Sequence, residues 1–233
     1  MIDAYQYGSG FIVSPDGWIL TAAHLVFNSE TQKTVENIKV HLSDGSVVSA
    51  TPIVPVEETR LHDFALLKVD KSNLPFLQIG DEGDDPVGAP IALIGFPLST
   101  GIAMKFCLSG NIVAVAKASV GERNTQINIV FFQGVSIKGI SGAPMISLGS
   151  GKVIGIENIR LTGIGKALEK SKKEAEAAVK SGGSVSILGV NITPTIYNLI
   201  DVLDQQLANG LGAGNGISAA RLAIEKANKE HKK

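Results

Sequence analysis

Apolar residues between Gly10 and Ile159 fall in short runs broken by turn signals, and a chain patterned this way is confined to antiparallel strands. Gly10 to Val13 and Trp18 to Thr21 flank Ser14-Pro15-Asp16-Gly17, where proline presets the first turn angle and glycine closes the hairpin. Residues 35 to 56 alternate, with Ile38, Val40 and Leu42 on one face, and turn at Ser43-Asp44-Gly45 into Ser46 to Ala50. A strand follows His62-Asp63, and after residues 71 to 90 come Ala89 to Gly95, Lys105 to Ala116 and Thr125 to Phe132. Met145 to Leu148 and Val153 to Ile159 make a hairpin through Gly149-Ser150-Gly151. Two runs of such strands predict an all-β fold of two packed antiparallel β-barrels rather than a parallel sheet. The expected division is residues 1–80 and 81–208, with Ser186 to Val190 as the closing strand and 209–233 as a tail or short helix.

The 233 residues suffice for a large single core or two small ones. A formal charge of -1 gives no electrostatic case for nucleic acid or an anionic membrane. No apolar run approaches the roughly 20 residues of a membrane helix, and the first residues do not read as a signal segment. A soluble, cytoplasmic chain is therefore expected if the sequence is complete, and an extracytoplasmic one if a signal or anchor was trimmed. Cys107 is the sole cysteine, which forbids an internal disulfide, and Phe106-Cys107-Leu108 reads as buried strand. Asp81, Glu82, Asp84 and Asp85 lack the spacing of a calcium loop and read as a solvated linker. The glycine-rich run from Gly210 to Gly216 follows no expected strand, so a dinucleotide site is rejected and a linker is expected. Neither metal nor cofactor is implied.

Three short motifs carry chemistry. Gly139-Ile140-Ser141-Gly142-Ala143-Pro144 sets a hydroxyl between small residues at a tight turn, where glycines let the backbone come close. Acyl transfer needs this arrangement, because the oxyanion formed by an attacking serine requires N–H donors about 3 Å away. A bland Gly-Ser-Gly turn between strands would look the same. Thr21-Ala22-Ala23-His24 ends the first hairpin with small residues that leave the imidazole room, and a lone histidine is otherwise structural. Asp63 stands at the mouth of the apolar strand Phe64-Ala65-Leu66-Leu67-Lys68-Val69, where a loop-end aspartate would otherwise be solvated.

Taken together, these stretches resemble the trypsin-like serine proteases, most closely the HtrA/Deg-type protease domain. Residues 8 to 24 are similar to the hairpin leading to T-A-A-H or T-N-x-H, the acid motif to D-[IL]-A-[VL]-L-K-[VI], and the serine motif to G-x-S-G-G-P with Ala143 at the second glycine. The order His24, Asp63, Ser141 fits the chymotrypsin-type arrangement and no other common triad. The resemblance covers about residues 8 to 160 and 186 to 208. It implies double β-barrels of the chymotrypsin type with a C-terminal helix beginning at Thr193-Pro194, and an endopeptidase acting on peptides or unfolded proteins.

Under that resemblance Ser141 attacks the carbonyl, His24 takes and returns the proton, and Asp63 holds the imidazole, with the amides of Gly139 and Ser141 as oxyanion hole. His62 is a neighbour without a role. The primary pocket falls at Val135, six residues before Ser141, with Ser136 beside it and Asn158 on the following strand. Uncharged residues there imply cleavage after small or medium apolar side chains. Ile140 stands where trypsin carries an aspartate, which excludes activation by an ion pair to a freshly cut amino terminus. No peptide-sensing PDZ module is expected after the protease domain. The competing functions are a catalytically silent protease-fold scaffold and an esterase using the same triad.

An insert at residues 163–183, rich in Ala, Glu and Lys, reads as a helix with Glu169 and Lys173 at i,i+4 and Gly182-Gly183 at its end. It is expected to be either a plain surface helix or a lid or docking arm beside the cleft.

Overall fold

The computed structural model describes residues 1–4, 6–28, 30–97, 104–120, 124–137, 139–160 and 210–231, with isolated short pieces between 173 and 198. In the first half, β1 (Ile2–Asp3), β2 (Tyr7–Gly8), β3 (Gly10–Ile12) and β4 (Trp18–Thr21) lead into the single-turn helix α1 (Ala23–Val26). The hairpin β5 (Phe27–Asn28) and β6 (Lys33–Thr34), then β7 (Ile38–His41), β8 (Val47–Pro52), the short helix α2 (Val56–Thr59) and β9 (Ala65–Val69) follow. The second half carries β10 (Pro90–Gly95), β11 (Phe106–Val120), β12 (Thr125–Gly134), β13 (Pro144–Ser147) and β14 (Val153–Arg160). A small pair, β15 (Ser186–Ile187) and β16 (Val190–Asn191), precedes β17 (Gly212–Gly216) and helix α3 (Ser218–His231).

Among the described residues the first sheet runs β2-β1-β7-β8-β9-β4-β3. Its two edge strands are neighbours in sequence, joined only by Ser9, so the sheet must roll until its edges meet there. The second sheet closes fully, in the order β10-β11-β12-β17-β14-β13. The expected pair of barrel-like sheets is therefore present. Strand alternation sets what each encloses: Ile38 and Val40 of β7 point inward to Ile2, Ile19, Leu25 and Leu67, whereas Ile91, Leu93, Val130, Phe132 and Met145 fill the second barrel. A third cluster joins the halves, with Phe11, Trp18, Leu20 and Leu66 from the first sheet against Ile146, Val153 and Ile156 from the second.

Three expectations need correction. The strand that closes the second barrel is β17, from the glycine-rich run read as a linker, and Ser186 to Val190 instead contributes to the small β15–β16 pair. The reason is steric: a Cβ at Gly212 would strike the Phe132 ring, and one at Gly214 would strike Ile156 O, so only glycine lets this strand pass under those groups. The segment 71–90 is not simply solvated either. Leu77 and Ile79 pack on the inter-barrel cluster, Gly80 N–H donates to Val153 O at 2.8 Å, and Glu82 is buried. Cys107 is exposed, because it lies on the outer face of β11.

Glu82 also explains how α3 docks. Its carboxylate accepts from the Ser218 backbone N–H at 3.0 Å, from Ser218 Oγ, and from Asn128 Nδ2 at 2.6 Å, which ties the first turn of α3 to β12. Negative charge at a helix start is favourable, and the helix then buries Ala220 and Ala227 in the inter-barrel cluster. Within the insert, Lys173, Glu174, Glu176, Ala177 and Lys180 are helical, and Lys180 Nζ pairs with Glu176 Oε1 at 2.8 Å. Most of the insert, Glu169 included, and most of the stretch after Thr193 lie outside the described residues. Among the described residues no helix is long and apolar enough to cross a membrane.

Replacing Glu82 by alanine strands three donors beneath α3 and is expected to cost about 2–4 kcal/mol of folding stability. Urea unfolding followed by circular dichroism measures it, and a loss under about 0.5 kcal/mol contradicts the docking role.

Candidate active site

Strand register decides where the chemistry-bearing residues meet. β4 and β9 pair antiparallel with Thr21 opposite Ala65, so the chain leaving β4 and the chain entering β9 emerge at the same end. His24 lies three residues beyond that point and Asp63 two residues before it. His24 Nδ1 sits 2.9 Å from Asp63 Oδ2 and 3.2 Å from Oδ1, and the His24 backbone N–H donates to Oδ1 at 2.9 Å. One carboxylate thus fixes both the ring and the backbone of the histidine. Such contact places the proton on Nδ1 and leaves Nε2 as the ring's free acceptor.

The turn that presents Asp63 is itself held. Asp63 adopts a left-handed backbone, φ 41° and ψ 47°, after the 3-10 turn Arg60–His62, a conformation that aspartate tolerates better than most residues. Asn158 Nδ2 donates to Asp63 O at 3.3 Å, and Asn215 Nδ2 donates to His62 O at 2.7 Å. Asn215 N–H in turn donates to Asn158 Oδ1 at 3.2 Å. Asn158, expected beside the substrate, therefore spends its amide on the acid's turn. Asn215 was missed in the sequence because it lies in the run read as a linker, and no local motif marks it.

Ser141 reaches this group through Ser9, the residue at the seam of the first sheet. Ser9 N–H donates to Ser141 O at 2.8 Å, Ser9 Oγ donates to Gly139 O at 3.0 Å and accepts from Phe96 N–H at 2.9 Å, and Thr21 Oγ1 donates to Ser9 O at 2.7 Å. The serine turn is thereby bound to the end of β4. Gly139 and Gly142 take φ of 98° and 86°, and a Cβ on Gly142 would collide with Ser9 O and crowd Thr21 Oγ1 and Ala22 N. Ala143, by contrast, is accommodated at the second glycine of the motif, fully buried.

The backbone donors around Ser141 divide in two. Ile140 N–H donates to Ile137 O, Gly142 N–H to Glu157 O at 2.6 Å, and Ala143 N–H to Ile140 O. Among the described residues, the N–H groups of Gly139 and Ser141 donate to no carbonyl. These are the two amides expected to stabilise an oxyanion. Ser141 Oγ makes no hydrogen bond among the described residues, to His24 or to any other group. Bonds of this kind commonly tighten only with substrate in place.

Of the expected pocket residues, Val135 is 43 % exposed and Ser136 is buried. Ser136 Oγ donates at 2.7 Å to Glu157 Oε1, a carboxyl from β14 that sequence reading passed over. Glu157 is 2 % exposed, and its Oε2 is buried without a hydrogen-bond partner among the described residues. An orphaned buried oxygen costs about 1–3 kcal/mol. Burial pushes the Glu157 carboxyl up to about 7, with Ser136 and His24 opposing the rise and Asp63 adding to it. At His24 burial lowers the imidazole pKa, but the Asp63 hydrogen bond and the charges of Asp63 and Glu157 outweigh it, so the ring titrates above its ordinary 6.5. Among the described residues no group of His, Cys, Asp and Glu is arranged to hold a metal ion.

Residues 8–156 match the family model described as the trypsin-like peptidase domain. Serine protease HTRA1 of Xenopus tropicalis is 36% identical over 170 residues, 71% of this chain and 34% of that protein. A probable periplasmic serine endoprotease DegP-like of Halomonas elongata is 34% identical over 203 residues, 83% of this chain and 40% of that protein. Among solved structures, the HtrA-type protease AlgW with decapeptide aligns at a TM-score of 0.55 and 25% identity, over 69% of this chain and 44% of AlgW. The chain spans less than half the length of these relatives.

Removing the Ser9 hydroxyl should loosen the serine turn without touching His24, Asp63 or Ser141. Ser9→Ala is expected to lower turnover about tenfold to a hundredfold through misplacement of Ser141, as measured by steady-state peptide hydrolysis. Wild-type turnover in that variant contradicts the seam's role.

Proposed function

Because the chain belongs to the trypsin-like peptidase domain family, and within it is similar to HtrA and DegP serine proteases, we propose that it is a serine endopeptidase acting through an acyl-enzyme. The observation that carries this reading is the doubly held His24–Asp63 pair, 2.9 Å apart, beside a serine turn with two amides that donate to no carbonyl among the described residues. Ser141 Oγ attacks the peptide carbonyl as His24 Nε2 takes its proton. The developing oxyanion meets the N–H groups of Gly139 and Ser141, and the imidazolium is stabilised by Asp63 and returns the proton to the leaving amine. Water then enters by the same route and releases the acyl group.

Substrates are peptides or unfolded segments of protein. The expectation of cleavage after small or medium apolar residues rests on Val135 and Ser136, and it applies while the Glu157 carboxyl beside Ser136 is protonated. An esterase would use the same machinery, and the peptidase names of the relatives favour amide substrates. A silent scaffold is the reading suggested by the Ser141 hydroxyl, which makes no hydrogen bond among the described residues. Against it stand the paired His24 and Asp63, which a binding scaffold has no need to hold in register.

Ser141→Ala is expected to lose hydrolysis of casein by about 10⁶ in turnover, and retained cleavage removes the assignment. The pH profile gives an independent check. The base must be neutral, so kcat/KM should fall as pH drops through the His24 pKa, which Asp63 and Glu157 hold above 6.5. A midpoint below 6, or a flat profile from pH 5 to 8, contradicts His24 as the base.

A further inference from the structure

We propose that Glu157 is the specificity-determining residue of this protease: its buried carboxyl, anchored by Ser136 through Oε1 and left without a donor on Oε2 among the described residues, recognises a cationic Lys or Arg side chain at the residue preceding the cut. The inference rests on the endopeptidase reading above. Glu157 belongs to the same structural unit as the nucleophile, since its carbonyl accepts from Gly142 N–H at 2.6 Å and its own N–H donates to Ala143 O at 2.9 Å. Its side chain is therefore within one side-chain length of the backbone that carries Ser141. From that point it turns to Ser136, the residue expected next to the primary pocket's base.

The carboxyl has two ends with different fates. Oε1 is fixed by the Ser136 hydroxyl, whereas Oε2 is buried and receives no donor among the described residues. A carboxylate accepts through both oxygens, and one that is half satisfied recognises whatever brings the missing donors. An apolar side chain leaves Oε2 orphaned. An ammonium or guanidinium supplies both the hydrogen bond and the opposite charge, so the same burial that penalises the empty site sharpens its selectivity. Val135 and Ser136 carry no charge that would compete.

Titration of this carboxyl gives the inference a signature. Glu157 is faced by His24 from α1, by Asp63 from the turn before β9, and by the neutral Ser136 from the segment after β12. With a midpoint of about 7, the ionised fraction rises about tenfold between pH 6 and pH 8. Lys and Arg keep their charge throughout, so selectivity for them should follow Glu157. His24 acts on every substrate alike and cancels when two substrates are compared.

The test uses two peptides identical except for Lys or Leu before the scissile bond, with kcat/KM measured from pH 6 to 8 for wild type, Glu157→Gln and Ser136→Ala. In wild type the Lys-to-Leu ratio should rise about tenfold across this range. In Glu157→Gln it should be flat and about tenfold lower at pH 8. In Ser136→Ala, which removes the donor that favours the ionised form, the rise should move to higher pH. A wild-type preference for Leu that ignores pH, or an unchanged ratio in Glu157→Gln, or an unshifted rise in Ser136→Ala, overturns the inference while leaving the protease reading intact. Cleavage of neither peptide by wild type takes both readings down.

Discussion

Ser9 closes two things at once, and the rest of the site depends on that closure. It is the single residue between the edge strands of the first sheet, so its position is dictated by the rolling of that sheet. Its amide and hydroxyl bond to the carbonyls of Ser141 and Gly139, and its hydroxyl also accepts from Phe96 at the end of β10. The seam of one barrel is thereby the clamp on the Ser141 turn of the other. Buried hydrogen bonds of this type are each worth only about 0.5–1.5 kcal/mol net, but leaving one unmade costs more, and this asymmetry locks the two halves in a single register.

The acid side is built by an equivalent device from the opposite direction. Asp63 stands in a left-handed turn that asparagine side chains from β14 and β17 hold by its carbonyls, so the second barrel sets the backbone from which the first barrel's acid reaches His24. Each barrel thus positions a group that the proposed mechanism takes from the other. A site assembled across such a junction needs the inter-barrel cluster of Trp18, Leu20, Leu66, Val153 and Ile156 to be dry and tight, and all five are buried.

Much of this was legible in the sequence, because the chemistry sits in local motifs. Thr21-Ala22-Ala23-His24, Asp63 before an apolar strand and Gly139 to Pro144 each announce a turn with a functional side chain, and β7, β8 and β9 announce themselves by alternation. What escaped was nonlocal. Gly212 to Gly216 has no large apolar residue to alternate, since its place in the barrel is defined by what it must slide beneath: the Phe132 ring, Met145 and Ile156. Because that strand was unseen, Asn215 and the docking of α3 on Glu82 were unseen too. Glu157 was hidden for a related reason. A charged residue inside Val-Ile-Gly-Ile-Glu-Asn reads as an outward position of a strand, and only its partner Ser136 shows that it points inward.

The central claim is that Ser141 is a nucleophile activated by His24 and Asp63, and covalent labelling with a fluorophosphonate examines it at the reacting atom itself. Intact-mass and peptide mapping of the full chain should find one adduct, on Ser141, forming at a rate that rises with pH through a midpoint above 6.5 and collapses in His24→Ala. An unlabelled Ser141 from pH 5 to 9, or labelling that His24→Ala leaves unchanged, contradicts the account.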